Sequence, residues 1–192
     1  MASETISREE LEQEIADFLE NTCCKADPVP VPHGCGLLHR NALVLATSYE
    51  DEPRATPLEF FHEGLTLFIF GEPGGKIANI KRNPRVCAAI YEQPLDHTKL
   101  QRSLQIWGTA RLMNYRNDKK TFLEKVDTWN IRSVAAALMA PQLKGLTAEE
   151  KHRRAEKFLE AINLIRLEPQ RMVLRKYHAD FSMPKYEWEK SA

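Results

Sequence analysis

At 192 residues the chain has the length of one ordinary domain, or of one with an appendage, and can bury a real core. Its 27 basic and 27 acidic residues cancel, which argues against a general nucleic-acid binder and against a polybasic membrane-seeking face. No stretch approaches the ~18 uncharged apolar residues of a membrane span, and the N-terminus lacks the apolar core of a signal peptide, so a cytoplasmic protein is expected.

In chain order, Ser7 and Glu10 form a capping box, in which hydroxyl and carboxylate each satisfy an orphan amide. Leu11, Ile15, Phe18 and Leu19 follow at helical spacing and give one apolar face. The stretch ADPVPVPHGCG, 26–36, is neither helix nor central strand, because its alternating prolines remove donors. It is read as a connecting arm. Cys23, Cys24, His33, Cys35 and His39 crowd this region, and a soft metal accepts such ligands. The single residue between His33 and Cys35 fits no zinc knuckle, however, and the four cysteines, with Cys87, have no regular spacing. Ordinary reduced thiols are expected, with neither a disulfide framework nor a metal site.

From Ala42 the period changes. ALVLATS (42–48), RATPLEFF (54–61) and LTLFIFG (65–71) read as strands joined by the turns YEDEP and HEG. The third strand is apolar throughout, which predicts burial on both faces. RVCAAIYEQ (85–93) and SLQIWGTARLMNY (103–115) add two more strands. Five strands on mostly short turns point to an antiparallel barrel or sandwich. Residues 117–162 read as helical, with a second capping box at Thr147 and Glu150. LIRLEPQRMVLRKYHA (164–179) alternates as a last strand or strand pair with a turn near EPQ, and the tail from Asp180 shows no pattern. His62, His97 and His152 are read as solvated, and EEKHRRAEK as an exposed helical face.

The chemistry concentrates in GEPGGKIANIKRNPRV, 71–86. Gly74 and Gly75 let a ligand approach the backbone closely. A short helix starting near Ile77 would aim free amides and a positive dipole end at the same spot, and Lys76 adds a point charge suited to phosphate. The loop is not a Walker motif, and no strand-helix-strand dinucleotide unit surrounds it.

Taken together, LATSYEDEPRATPLEFF, LTLFIFGEPGGKIANIKRNPRV and SLQIWGTARL resemble the split-barrel FMN-binding family related to pyridoxamine 5'-phosphate oxidase. The resemblance runs from Leu43 to Met113 and resumes at Leu164 to Leu174. It implies an α+β fold: a six-stranded antiparallel split β-barrel with an N-terminal helix and a helical insertion before the last strands. Residues 1–192 would form a single FMN-binding domain, with 1–36 as the N-terminal helix and arm and 117–162 as the insertion, which would lid the flavin edge or serve dimer contacts.

The resemblance further implies a homodimer binding FMN at its interface. Arg54, Ala55, Thr56 and Pro57 would lie along the flavin, with Ile69 and Phe70 at a strand end. Gly75, Lys76 and Asn79 would hold the phosphate. Ser103, Gln105 and Trp107 would contact the ring, often from the partner subunit, although for Trp107 core or interface packing is favoured. Where relatives carry a second polar or basic residue just before the lysine, this chain has Gly75, which leaves the phosphate to Lys76, Arg54 and backbone amides.

The function implied is an FMN-dependent oxidoreductase acting on a small molecule, with no catalytic side chain assigned. Pyridoxamine phosphate oxidation itself is not expected, since Trp188 is followed by glutamate and not by the arginine of the family's C-terminal ending. Two other readings stand beside it. A haem-handling split barrel would use His178, or His33 and His39, on iron. A non-catalytic flavin-binding stress module would use FMN as ligand or electron store.

Overall fold

The computed structural model describes residues 6–26, 37–38, 41–92 and 98–191. Helix α1, Arg8–Thr22, opens on the capping box, with Ser7 Oγ accepting from Glu10 N at 3.2 Å and Glu10 Oε2 accepting from Ser7 N at 2.8 Å. Strand β1, Lys25–Ala26, pairs with β2, Leu37–Leu38. Most of the arm between them, with His33 and Cys35, lies outside the described residues, as do His39 and His97.

Strands β3, Leu43–Tyr49, and β4, Glu52–Leu58, form a hairpin whose turn residues Glu50 and Asp51 both take positive φ. That conformation matches the twist of the flanking strands. The strand expected over 54–61 ends at Leu58. Phe60 turns fully into the core, and a separate β5, Phe61–Glu63, pairs with β6, Thr66–Gly71. Helix α2, Gly75–Arg82, then leads to β7, Arg85–Tyr91, and β8, Gln101–Met113. Three helices follow: α3, Lys119–Thr128; α4, Ile131–Leu143; and α5, Ala148–Ala161, the last opened by the Thr147–Glu150 box. The chain returns through β9, Asn163–Tyr177, and ends on β10, Lys185–Glu189.

The strands make an eight-stranded antiparallel sheet in the order β4-β3-β7-β8-β9-β6-β5, with β10 also on β9. This corrects the expected six-stranded barrel: among the described residues the path is open. The cause is β9. The turn expected near Glu168–Gln170 does not form, and one 15-residue strand runs through Pro169. A register shift between Trp107 and Gly108 accommodates the proline. Gly108 is required there, since a Cβ on it would stand 2.2 Å from the Glu168 carbonyl oxygen.

With β8 along one edge, β9 offers its other edge to β6 from Asn163 to Leu167 and to β10 from Arg171 to Arg175. The sheet therefore forks. The tail is no patternless end: in β10, buried Tyr186 and Trp188 alternate with exposed Lys185, Glu187 and Glu189.

Two hydrophobic clusters result. The first joins α1 (Leu11, Ile15, Phe18) to the inner faces of β3, β6, β7, β8, β9 and β10 and to Ile77 and Ile80 of α2. The second lies under the helical segment, where Phe122, Val126, Ile131 and Leu159 cover Phe61, Phe68 and Leu164. Leu67 and Ile69 of β6 enter the first while Phe68 enters the second, so this strand is buried on both faces, as its apolar run predicts. No helix among the described residues is long and apolar enough to cross a membrane.

Candidate anion-binding site

The site begins where β6 runs out. After Gly71, Gly74 caps α2 in an extended conformation and supplies no side-chain acceptor to the first-turn amides. Helix α2 exists because Ile77 and Ile80 anchor it on the first cluster, and Lys81 and Arg82 suit its negative end. It is fastened along β3 by polar contacts. Asn79 Nδ2 donates to Thr47 Oγ1 at 3.2 Å, and Asn83 Nδ2 donates to the Ser48 carbonyl at 3.1 Å. The Arg82 guanidinium lies 4.6 Å from the Tyr49 ring centroid.

Two cations converge on the uncapped end of α2. Lys76 folds back over Gly71, where a Cβ would stand 2.9 Å from its Cε and 3.7 Å from its Nζ. Arg54 reaches across from β4, and a Cβ on Gly75 would stand 2.7 Å from its Cζ. The two glycines thus seat the two side chains. Among the described residues neither cation has an ion-pair partner, and a guanidinium against the positive end of a helix gains nothing by itself. Two unpaired cations and open helix amides form a cradle for an anion, and phosphate suits it chemically. Alongside lies a polar groove of ≈ 660 Å³ bounded by Tyr49, Glu50, Glu52, Arg54, Asn79 and Arg82.

The residues singled out from sequence fall into three groups. Arg54, Gly75 and Lys76 meet in the cradle, Asn79 lies one turn along α2, and Thr56 shares the Arg54 side of β4. Ala55 and Pro57 point the other way, pairing with Ala46 and Val44 on the outer face of the sheet. Ser103, Gln105 and Trp107 share that outer face of β8, opposite the buried Leu104 and Ile106. Ser103 Oγ lies 3.2 Å from the Tyr177 hydroxyl, Gln105 is exposed, and Trp107 is half-buried beneath the Arg171 guanidinium at 4.8 Å, so it does not belong to the core. Ile69 is sealed in the first cluster, and Phe70 meets Phe61, Phe122 and Trp129 edge-on at 6.2 Å each.

Sequence reasoning missed Gly71, whose role is visible only once Lys76 is seen to bend over it. It also missed a cavity of ≈ 130 Å³ where α4 and α5 meet the β5–β6 hairpin. Phe61, Phe70, Val134 and Phe158 give this cavity apolar walls, and Gly71 and Glu72 link it to the cradle.

Other candidates are placed differently. His178 is exposed in the β9–β10 turn, so nothing here favours an iron ligand. Cys23 and Cys24 are buried, and burial pushes the half-buried Cys87 thiol above its ordinary range. His62, expected to be solvated, is instead half-buried and bonded: its Nε2 lies 3.1 Å from Glu20 Oε2 and its Nδ1 3.0 Å from the Gly64 carbonyl.

A family model described as "Pyridoxamine 5'-phosphate oxidase" matches residues 35–159. No curated protein sequence matches. Among solved structures, the chain is similar to General Stress Protein 26 from Bacillus anthracis str. Sterne, at 19% identity and a TM-score of 0.51, covering 92% of this chain and 98% of that one. It is similar to a putative pyridoxamine 5'-phosphate oxidase from Listeria innocua, at 21% identity and 0.50, covering 85% and 96%. PhzG from Burkholderia lata 383, solved in complex with tetrahydrophenazine-1-carboxylic acid, matches at 15% identity and 0.51, covering 79% and 77%. At these identities the likeness is one of fold.

Proposed function

The chain belongs to the pyridoxamine 5'-phosphate oxidase family, and from that premise we propose that it is a flavoprotein that holds FMN by its phosphate in the cradle of Arg54, Gly75 and Lys76. The observation that carries this reading is the convergence, on the uncapped start of α2, of two cations without an ion-pair partner among the described residues. A phosphate there would neutralise the cations and accept from the amides at once. When bound, FMN supplies two-electron redox chemistry. The chain's part is to hold and orient. Lys76 and Arg54 clamp the phosphate, with Asn79 stiffening α2 against β3. Among the described residues strand β4 lies at the sheet edge, so one row of its backbone groups around Ala55 to Pro57 would be open to the ring. No side chain is assigned a proton-transfer role.

The assembly in this reading is a homodimer. Arg54 and Lys76 lie on one side of the sheet, and Ser103, Gln105 and Trp107 on the other, so a single subunit does not offer both sets to one ring. A second copy on the outer face would do so. That face carries Val44, 42% exposed, beside Ala89 and the half-buried Cys87. One domain spanning 1–192 provides these parts, and the helices of the 117–162 segment flank the cavity beside Gly71, which would take the apolar edge of a small substrate. The reaction is an oxidoreduction other than that of pyridoxamine phosphate. Trp188 supports this exclusion, because it is held in the fold: its Nε1 donates to Glu12 Oε1 at 2.6 Å and the Arg8 guanidinium lies over its ring.

The test is the absorbance spectrum of the protein as isolated, mass identification of any acid-released ligand, and titration of the stripped protein with FMN. Flavin bands and saturable uptake are expected. Folded protein that takes up no FMN overturns the reading. A Soret band would favour haem instead. Reduction of the bound flavin by NADH or NADPH separates an enzyme from a storage module, and a strict monomer with tight FMN contradicts the shared site. Lys76→Ala is expected to weaken FMN binding by about 1–3 kcal/mol, the loss of one charged hydrogen bond, with thermal stability unchanged.

A further inference from the structure

The C-terminal end of α1 and strand β5 are tied together where Cys24 N donates to the Phe60 carbonyl at 2.9 Å. This contact sets Glu20, in the last turn of α1, and Cys23, its C-cap, beside one residue of β5. Glu20 and Cys23, three apart, share a helix face, and His62 approaches from the strand. A carboxylate oxygen, a thiol sulfur and an imidazole nitrogen then lie within 4.8 Å of one another. The cradle for the anion is at the far end of β6, past Gly71, whereas His62 pairs with Leu67 near that strand's start.

We propose that Glu20, Cys23 and His62 form an open three-ligand site for a divalent transition-metal ion, with zinc as the best-suited species. Sulfur, nitrogen and oxygen donors are the set zinc accepts, and three protein ligands with solvent in the fourth position complete its tetrahedron. The surroundings of His62 supply the second argument. If Nδ1–H donates to the Gly64 carbonyl 3.0 Å away, the neutral ring turns the lone pair of Nε2 toward Glu20 Oε2, 3.1 Å away. Two acceptors facing each other at that distance need a cation between them. A metal-bound histidine commonly hands its other N–H to a backbone carbonyl in this way.

The remaining geometry agrees. Glu20 Oε1 is held by the Lys25 ammonium, which orients the carboxylate and leaves Oε2 facing His62. Cys23 is 4% exposed, which shields the metal–sulfur bond, while the Glu20 side chain is 56% exposed and gives an entry path. The last turn of α1 carries no basic residue, so its carbonyl end attracts a cation. Binding would release the Cys23 thiol proton to solvent and leave a thiolate on the metal. The rival explanation is that a proton alone fills the gap, giving a plain Glu20–His62 ion pair.

Cobalt distinguishes the two. Reduced, chelator-treated full-length protein titrated with Co²⁺ is expected to take up one equivalent. It should develop a thiolate-to-cobalt charge-transfer band together with the visible bands of a four-coordinate ion, and Zn²⁺ should displace both. Cys23→Ser should abolish the charge-transfer band. His62→Gln, which is less apt to disturb folding, should lower Zn²⁺ affinity at least about tenfold, the smallest loss that perturbing a metal's supporting shell costs. Cys87→Ser should change neither. Zn²⁺ should raise the melting temperature of the unaltered protein and not of the two ligand variants, and FMN content in the same samples should not move. The proposal falls if cobalt gives no thiolate band, or if either ligand variant binds Zn²⁺ as tightly as the unaltered protein.

Discussion

Lys76 and Lys125 both lie against β6, and the fold treats them oppositely. Lys125, on α3, is only 9% exposed, yet its charge is fully met: Nζ lies 2.5 Å from Glu63 Oε1 and 3.3 Å from Glu124 Oε1, with the Phe68 and Trp129 rings at 5.6 Å. Burial pulls its pKa down, but the hydrogen bonds and charges of the two glutamates outweigh that and hold it above the ordinary lysine value. Lys76 has no such partner among the described residues and instead leans over Gly71, next to a second unpaired cation and an open helix end. A satisfied cation locks structure. Cations brought together without an acid describe the ligand that is to come.

Changes at the two places should therefore separate stability from binding. The largest effect is expected from Arg54→Ala combined with Lys76→Ala: FMN affinity should fall by about 3 kcal/mol, roughly a hundredfold or more, while thermal unfolding stays where it was. A similar loss of stability in that variant would make the cradle structural. Next is Glu63→Ala, which leaves Lys125 buried on Glu124 alone. Because the Glu63 side chain is 45% exposed, the cost should be about 1–3 kcal/mol of unfolding free energy, read by denaturant titration, with FMN binding untouched.

Gly75→Ala should have a smaller effect. The three atoms nearest its Cβ all belong to the far end of Arg54, which can swing aside, so stability should change by within about 0.5 kcal/mol while FMN titration registers the displaced guanidinium. The smallest effect concerns the helix starts. Glu10 and Glu150 lie below the usual carboxylate range, the first held there chiefly by the Ser7 hydroxyl and the second chiefly by the Thr147 amide. A lowered folded-state pKa means that the cap's contribution is present above the unfolded value and is lost as pH falls through the folded one. Helical circular dichroism at acid pH should show Glu10→Gln and the unaltered protein converging. A difference that persists once the carboxylate is protonated would sink this account.

Much of this was legible in the chain because it is local. The caps at Ser7 and Thr147 need only residues three apart, and the hairpin at Glu50–Asp51 needs only its own turn. Strands β3, β7 and β8 announce themselves by period and β6 by its continuous apolar run, and the glycine loop before α2 marks the anion site by its residue types. What failed to show has a common cause. A turn at Glu168–Gln170 is the natural local reading of a proline, and only the partner strand, with Gly108 opposite, lets the chain run straight through it. Strand β10 alternates in just five residues, too few to stand out without β9 beside it.

The amino-acid order by itself determined where α1 and α5 begin, which strands carry an inward row, and that a lysine and two glycines would sit at a strand end, since backbone torsions and side-chain periodicity act over a few residues; α2 starts at Gly75, ahead of the Ile77 expected. Tertiary structure alone decided that the sheet would fork along β9, that Arg54 would lie on Gly75, and that Glu20, Cys23 and His62 would share one corner. Those outcomes depend on strand register and on close approach between segments distant in sequence, from Arg54 and Gly75 to Leu67 and Leu167, where a shift of one residue turns a side chain to the other face.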